Sequence, residues 1–312
     1  MISKLFTKQF ITITMVSITS LVTFNIYKNE FGLFGDHQNK DIRIYASEKT
    51  SKHLLSFNYI PNNFNGILIG PSLSDQMMNT KKLSNNYDIY NLSMDSANIS
   101  ELKYAVDNVL KHGDIKVFVI CLDPYMTKDH GTKSSQIHPK EYYSTLGSMF
   151  NLKYYIKKTL NRKQGSKSIF YDSYWGSTDY SHLNKDINST RHINHTLSKI
   201  NKNYNINIDD IAYSELQEVL SDVRKKDIQI VAYFYPRPKR VMENIYYKKT
   251  YISYQKKISK LLNYKDDIII NFVQDKYDYI RDDDRNYSDR VHLSAKGANN
   301  VMSILKEQID NL

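Results

Sequence analysis

Short apolar runs alternate with stretches of helical period over most of the chain. Gly66-Ile67-Leu68-Ile69 is stopped by Gly70-Pro71, which predicts a buried strand over 66–70. Tyr87-Asp88-Ile89-Tyr90-Asn91-Leu92 predicts a second strand. Between Glu101 and Lys111, Leu102, Ala105, Val106, Val109 and Leu110 recur at the spacing of an amphipathic helix. Lys116 to Leu122 then runs apolar to the break at Asp123-Pro124. Strand, helix and strand of these lengths predict a βαβ unit and a parallel sheet.

The pattern lapses over 127–200, which is polar and rich in tyrosine, with breaks at Gly131, Gly165 and Gly176. This stretch predicts a long insertion, partly helical near Tyr142–Leu160. From Ile208 a helical period returns, carried by Ile211, Leu216, Val219, Leu220 and Val223. A strand over 228–235 ends before Pro236, a helix covers roughly 243–263, and a last strand spans 267–272. Residues 295–310 close the chain as a helix. The order β-α-β, insertion, α-β-α-β-α predicts an α/β fold: a three-layer α/β/α domain around a central parallel sheet.

The N-terminus changes the picture. Gln9 to Tyr27 carries no charge, and its length meets the ~20 residues that span a bilayer, although six Ser/Thr residues dilute its hydrophobicity. Lys4 and Lys8 precede it, so the positive-inside rule places the N-terminus in the cytoplasm and the rest of the chain outside. No small-x-small cleavage site follows, which favours an uncleaved anchor over a removed signal peptide. The expected organisation is an anchor over 1–28, a polar membrane-proximal connector over 29–60, and a domain over 61–312 with an insertion at about 127–200.

With 41% hydrophobic residues and only ten Gly and six Pro among 312, the chain is a folding one. A net charge of +10 suits a negatively charged surface, but the bases are dispersed and no nucleic-acid motif accompanies them. Nucleic acid is therefore not an expected partner. The one cysteine, Cys121, lies inside an apolar run and reads as a buried strand thiol.

Candidate chemistry sits at two distant places. Ser72 follows the first strand, at the carboxyl end where open α/β sheets place their sites. Asp289 and His292, in Asp289-Arg290-Val291-His292, are close enough for the carboxylate to orient the imidazole. The three suggest a serine nucleophile, a histidine base and an aspartate orienter. Each has a plainer reading: Ser72 as a turn or N-cap residue, Asp289 as a cap of its own turn, and His292 as a structural histidine.

Asp282, Asp283 and Asp284 form an acidic cluster without accompanying His or Cys, and His192-x-x-His195 lacks a matched carboxylate, so no metal is expected. Arg237, Lys239 and Arg240 follow the 228–235 strand on the edge where substrates bind, and would grip an acidic polymer or headgroup or form a solvated loop. Trp175 and the tyrosines around it suit aromatic packing or sugar stacking.

With these pieces in place the chain resembles the SGNH (GDSL) hydrolase superfamily, in particular its membrane-anchored bacterial branch of polysaccharide O-acetyltransferase and esterase-like proteins. Gly70-Pro71-Ser72 stands where that family has its first motif, and Tyr90-Asn91-Leu92-Ser93-Met94-Asp95-Ser96-Ala97 is similar to the second. Asp289-x-x-His292-Leu293-Ser294-x-x-Gly297 matches the last motif, and Phe31-Gly32-Leu33-Phe34-Gly35 also looks like that branch.

Two departures stand out. Ser96 replaces a glycine whose backbone N–H helps form the oxyanion hole, and no Asn follows the central strand, which ends Leu122-Asp123-Pro124. Asn91 or Asn98 could contribute a donor in its place; losing one such donor typically costs ~10²–10³ in turnover, which leaves a slower transferase or a binding relic open.

The resemblance implies a serine acyl-enzyme without a cofactor. It would transfer an O-acyl group, expected to be acetyl, to an envelope or exported polysaccharide, or remove it. It also implies a membrane-held domain working beside envelope biosynthesis or export proteins. Two alternatives stay open: a lipid or small-ester esterase of the same fold, and a catalytically silent polysaccharide-binding or assembly subunit.

Overall fold

The computed structural model describes residues 2–29, 31–33, 48–76, 80–130, 145–149, 152, 156, 170–171, 174–179 and 189–312. Its strands are β1 (Gly66–Ile69), β2 (Ile89–Asn91), β3 (Val117–Leu122), β4 (Phe170–Tyr171), β5 (Thr178–Asp179), β6 (Gln229–Phe234) and β7 (Ile268–Asn271). Five of them form one all-parallel sheet in the order β2-β1-β3-β6-β7, while β4 and β5 pair as a small antiparallel ribbon.

Alternation along the strands divides the core in two. On β3, Phe118, Ile120 and Leu122 face one side and Val117, Val119 and Cys121 the other; on β6, Ile230, Ala232 and Phe234 oppose Val231 and Tyr233. Both faces are covered, as a parallel sheet requires.

The first layer begins with α2 (Glu48–Leu55) and α3 (Tyr59–Asn63), after the N-terminal helix α1 (Ile2–Lys28). Around the sheet follow the short α4 (Ser72–Asp75), α5 (Ile99–His112) and the short α6 (Pro124–Thr127), then α7 (Ser189–Lys199) and α8 (Asp210–Arg224). The chain continues through α9 (Lys239–Glu243), α10 (Ile245–Ser259), α11 (Asp278–Arg281) and α12 (Ala295–Asp310). Leucines and valines of α5 and α8 cover one face, and Val301, Met302, Leu305 and Ile309 of α12 cover the other. The fold is thus α/β, in three layers.

The helix expected over roughly 243–263 is α10, continued by a 3-10 turn over Lys260–Leu262, and the short α9 stands before it. Asn244 ends α9 and caps α10, its Oδ1 accepting from the N–H groups of Tyr246 (3.0 Å) and Tyr247 (3.2 Å). Most of the expected helix near 142–160 lies outside the described residues.

The polar connector expected over 29–60 is corrected from residue 48 onward. Glu48, Lys49, Lys52 and His53 of α2 are all buried, and Leu54 and Leu55 join the core. The polarity that resembles a linker in the sequence is an internal ion-pair network. Phe31 and Leu33 are also buried in the core.

Within α1, Lys4–Lys28 is long and apolar enough to cross a membrane, with a mean hydropathy of 1.6, a test that a signal sequence also meets. Near its end, Asn25 Nδ2 donates to the Leu146 carbonyl at 2.8 Å.

Candidate active site

The sheet order reverses at β1, where the chain moves outward to β2 and then returns to β3 on the other side. Crevices at the carboxyl ends of such strands are where α/β sheets bind ligands. A cleft of about 590 Å³ opens there, lined by Pro71, Ser72 and Leu73 after β1, Asp95 and Ser96 after β2, Asp123 after β3, Arg237 after β6, and His292.

Ser72 is half-buried as the first residue of α4; the N-cap is Pro71, which makes no side-chain cap. The turn is sharp because Gly70 has no side chain: a Cβ there would lie 2.2 Å from Ser74 Oγ and 2.7 Å from Cys121 Cβ. Instead of capping a helix, Ser72 Oγ lies 2.9 Å from His292 Nε2. His292 Nδ1 lies 2.8 Å from Asp289 Oδ2. An ionised carboxylate accepts, so Nδ1 carries the proton and Nε2 is left to accept from the serine hydroxyl.

Asp289 also caps its own turn, Oδ1 accepting from Val291 N (2.7 Å) and His292 N (2.8 Å). Burial raises its carboxyl, but the His292 hydrogen bond and charge and the two backbone N–H groups prevail, leaving it at about 2. The turn is held at both ends. Ser288 N donates to the His292 carbonyl at 2.8 Å, and Leu293 N donates to the buried Tyr235 hydroxyl at 2.8 Å. Ser294 then caps α12 through Gly297 N at 3.3 Å.

No family model matches the chain, and no curated protein matches it. Among solved structures it is similar to a protein of Streptococcus pneumonia provisionally named a platelet activating factor. The two are 11% identical with a TM-score of 0.44, over 84% of this chain and 90% of that one.

Of the other expected site residues, Ser96 and Arg237 line the cleft and Asn91, Asn98 and Arg240 do not. Asn91 is fully buried, its Nδ2 donating to the carbonyls of Ser74 (2.8 Å) and Asp75 (3.2 Å) while its Oδ1 accepts from Ser93 N (3.1 Å). Asn98 is the N-cap of α5, in a reciprocal capping box with Glu101. The Asn91 amide is committed to backbone, and neither residue lines the cleft where the missing donor would stand. Arg240 bonds Asn194 of α7 and pairs with Asp284 at 3.5 Å.

Ser96 has a φ of +52°, the left-handed region that favours glycine. Its N–H, like that of Ser72, is engaged by no described residue. Two backbone donors at the cleft are thereby free to meet a ligand.

Arg237 is buried and paired with Asp123, the residue standing where the SGNH resemblance expects Asn. Burial works against the guanidinium charge, but the carboxylate outweighs it and raises the Arg237 pKa. Arg237 Nε has no partner among the described residues. Sequence reasoning missed this pair, whose members are 114 positions apart. It also missed Lys128, Lys199 and Arg290 at the rim, which nothing in their local pattern singles out.

The remaining candidates take structural places. Trp175 packs edge-on against Phe64 (5.4 Å between centroids) and Tyr174 (5.2 Å). His192 and His195 lie exposed on α7. Asp283 bonds Arg285 and Lys296, and Asp282 pairs with Lys239. Among the described residues no three His, Cys, Asp or Glu gather as a metal site. Cys121 is fully buried, and burial raises its thiol far from a reactive thiolate.

Proposed function

We propose that the chain is a serine-dependent ester hydrolase or acyltransferase of the SGNH type. The observation that carries this reading is the contact of Ser72 Oγ with His292 Nε2 at 2.9 Å, continued from His292 Nδ1 to Asp289 at 2.8 Å. The motifs at Ser72 and at Asp289–Gly297, and the position of the cleft at the sheet's reversal, support it.

In this reading His292 Nε2 takes the proton of Ser72 as Oγ attacks the ester carbonyl. The tetrahedral oxyanion is met by the N–H groups of Ser72 and Ser96. The imidazolium then gives its proton to the departing alcohol, leaving an acyl-serine. Water, or a sugar hydroxyl deprotonated by His292, attacks that acyl group and releases Ser72 with an acid or a new ester. No cofactor enters.

The substrate we propose is an O-acyl, expected to be acetyl, group on an envelope or exported polysaccharide. Support comes from the motif resemblance and from α1, read as an anchor over 1–28 that leaves the remaining domain outside the cytoplasm. The test is acetate release from, or acetyl transfer to, acetylated and deacetylated polysaccharide preparations by wild type and Ser72→Ala. Turnover of the polymer that requires Ser72 supports the reading, and turnover of p-nitrophenyl acetate alone favours the small-ester esterase.

A silent polysaccharide-binding subunit is favoured by one observation: Asp123, tied to Arg237, occupies the expected Asn position. It predicts that Ser72→Ala leaves polymer binding and export intact.

A further inference from the structure

The loop from Ser93 to Ser96 is gripped by one helix on the far side of the cleft wall. Lys52 Nζ donates to the Ser93 carbonyl, Glu48 Oε2 accepts from Asp95 N at 3.0 Å, and Lys49 Nζ donates to the Ser96 carbonyl at 3.0 Å. The latter two contacts bracket the peptide between Asp95 and Ser96, the one whose N–H is free at the cleft. A non-glycine residue at positive φ costs about 1–2 kcal/mol, and persists where its surroundings over-determine it.

The grip is ionic although it is buried. Lys49 is answered by Glu101 at 2.6 Å, and Lys52 by Asp75 at 2.6 Å and Glu48 at 3.0 Å. Buried ion pairs add little net stability compared with apolar packing, but their charge-assisted hydrogen bonds are short and directional. Three such groups on one helix, aimed at one loop, fix the direction of a peptide more than they stabilise the fold.

We infer that Glu48 and Lys49 are positioning residues for the Ser96 N–H, holding its peptide as an oxyanion donor beside Ser72. This inference rests on the ester chemistry proposed above. Neither side chain touches substrate; each acts through the loop backbone. A donor that matters only when the oxyanion forms changes kcat and leaves KM alone.

The test uses the full chain in detergent with p-nitrophenyl acetate as substrate. Lys49→Met combined with Glu101→Gln removes both charges, so neither is left unpaired, and Gln still completes the α5 capping box. We expect kcat to fall ~10- to 10²-fold with KM within about two-fold. Glu101→Gln alone and Lys49→Arg, which keep a donor on Ser96, hold kcat within a few-fold.

Glu48→Met leaves Lys52 paired with Asp75 and carries the same expectation of a kcat-only loss, should the double variant not fold. Unchanged kcat in a folded variant, or a rise in KM with kcat intact, overturns the inference alone. A wild type that turns over neither p-nitrophenyl acetate nor acetylated polysaccharide overturns it together with the proposed function.

Discussion

Ser72 Oγ and His292 Nε2 lie 2.9 Å apart although 220 positions separate them in the chain. Two short-range devices bring them together. Gly70-Pro71 ends β1 sharply enough to put Ser72 at the start of α4, and Tyr235, just beyond β6, holds the backbone of Leu293 beside His292. The serine is therefore carried by a strand end and the histidine by the loop before α12, while Lys128, Thr196 and Lys199 from the 127–200 stretch line the same cleft.

If that contact activates the serine, its members are unequal in a defined way. Ser72→Ala and His292→Ala should reduce ester turnover to background, and Asp289→Asn should reduce kcat by ~10⁴, since the amide favours the wrong imidazole tautomer. Steady-state kinetics on variants with wild-type circular dichroism checks this. Equal rates in Asp289→Asn and wild type would remove Asp289 from the mechanism.

Acid should weaken the fold through His53. Its ring is 2% exposed, neither nitrogen has a partner among the described residues, and burial lowers its pKa to about 4. An unfolded histidine protonates near 6.5, so between about 4 and 6.5 the unfolded state holds the extra proton. Stability is then full above 6.5, falls as pH drops through that window, and levels off below 4, for a total of up to about 3 kcal/mol. Urea unfolding of wild type and His53→Leu from pH 7.5 to 4 should show that difference closing in the variant. Parallel curves would contradict it.

The five strands of the parallel sheet and α12 were legible because they are written as apolar runs or a helical apolar period: α12 spans 295–310, where that period places it. Ser72, Asp289 and His292 were legible because each sits at a break in such a pattern. Lys52 was not. A lysine in a polar stretch reads as solvated, and besides Glu48 one turn away its partners Asp75 and Ser93, 23 and 41 positions off, make it a core residue. The same holds for Asp123, read in the sequence as a missing asparagine and found as half of an ion pair with Arg237. Asn91 and Asn98 lie outside the cleft, the first with its amide bonded to the Ser74 and Asp75 carbonyls and the second with its side-chain oxygen capping α5. Pairing between distant polar residues leaves no periodic trace.

The Asp123–Arg237 pair should behave as a unit. Arg237→Met strands a buried carboxylate and should cost about 3–5 kcal/mol, whereas Arg237→Met with Asp123→Asn should recover most of that loss. Denaturant midpoints of the four proteins form the cycle. Additive losses would mean that the two side chains are not coupled.

Gly297→Ala should damage both fold and site. A Cβ there would lie 2.1 Å from the Asn286 carbonyl oxygen and 2.8 Å from Leu293 Cδ2, and a backbone oxygen gives way poorly. We expect a loss of about 1–3 kcal/mol and a slower Ser72, since Leu293 adjoins His292. Thermal unfolding and probe-labelling rate measured on the same sample test both; a change in neither would contradict the packing described.

The central claim is that Ser72 is an activated nucleophile, and labelling by a fluorophosphonate probe tests it most directly. Wild-type full-length protein in detergent is compared with Ser72→Ala and His292→Ala, and the modified peptide is mapped by mass spectrometry. The account predicts one adduct, on Ser72, absent in the first variant and lost or greatly slowed in the second. A folded wild type that stays unlabelled, or that labels as fast without His292, would contradict it.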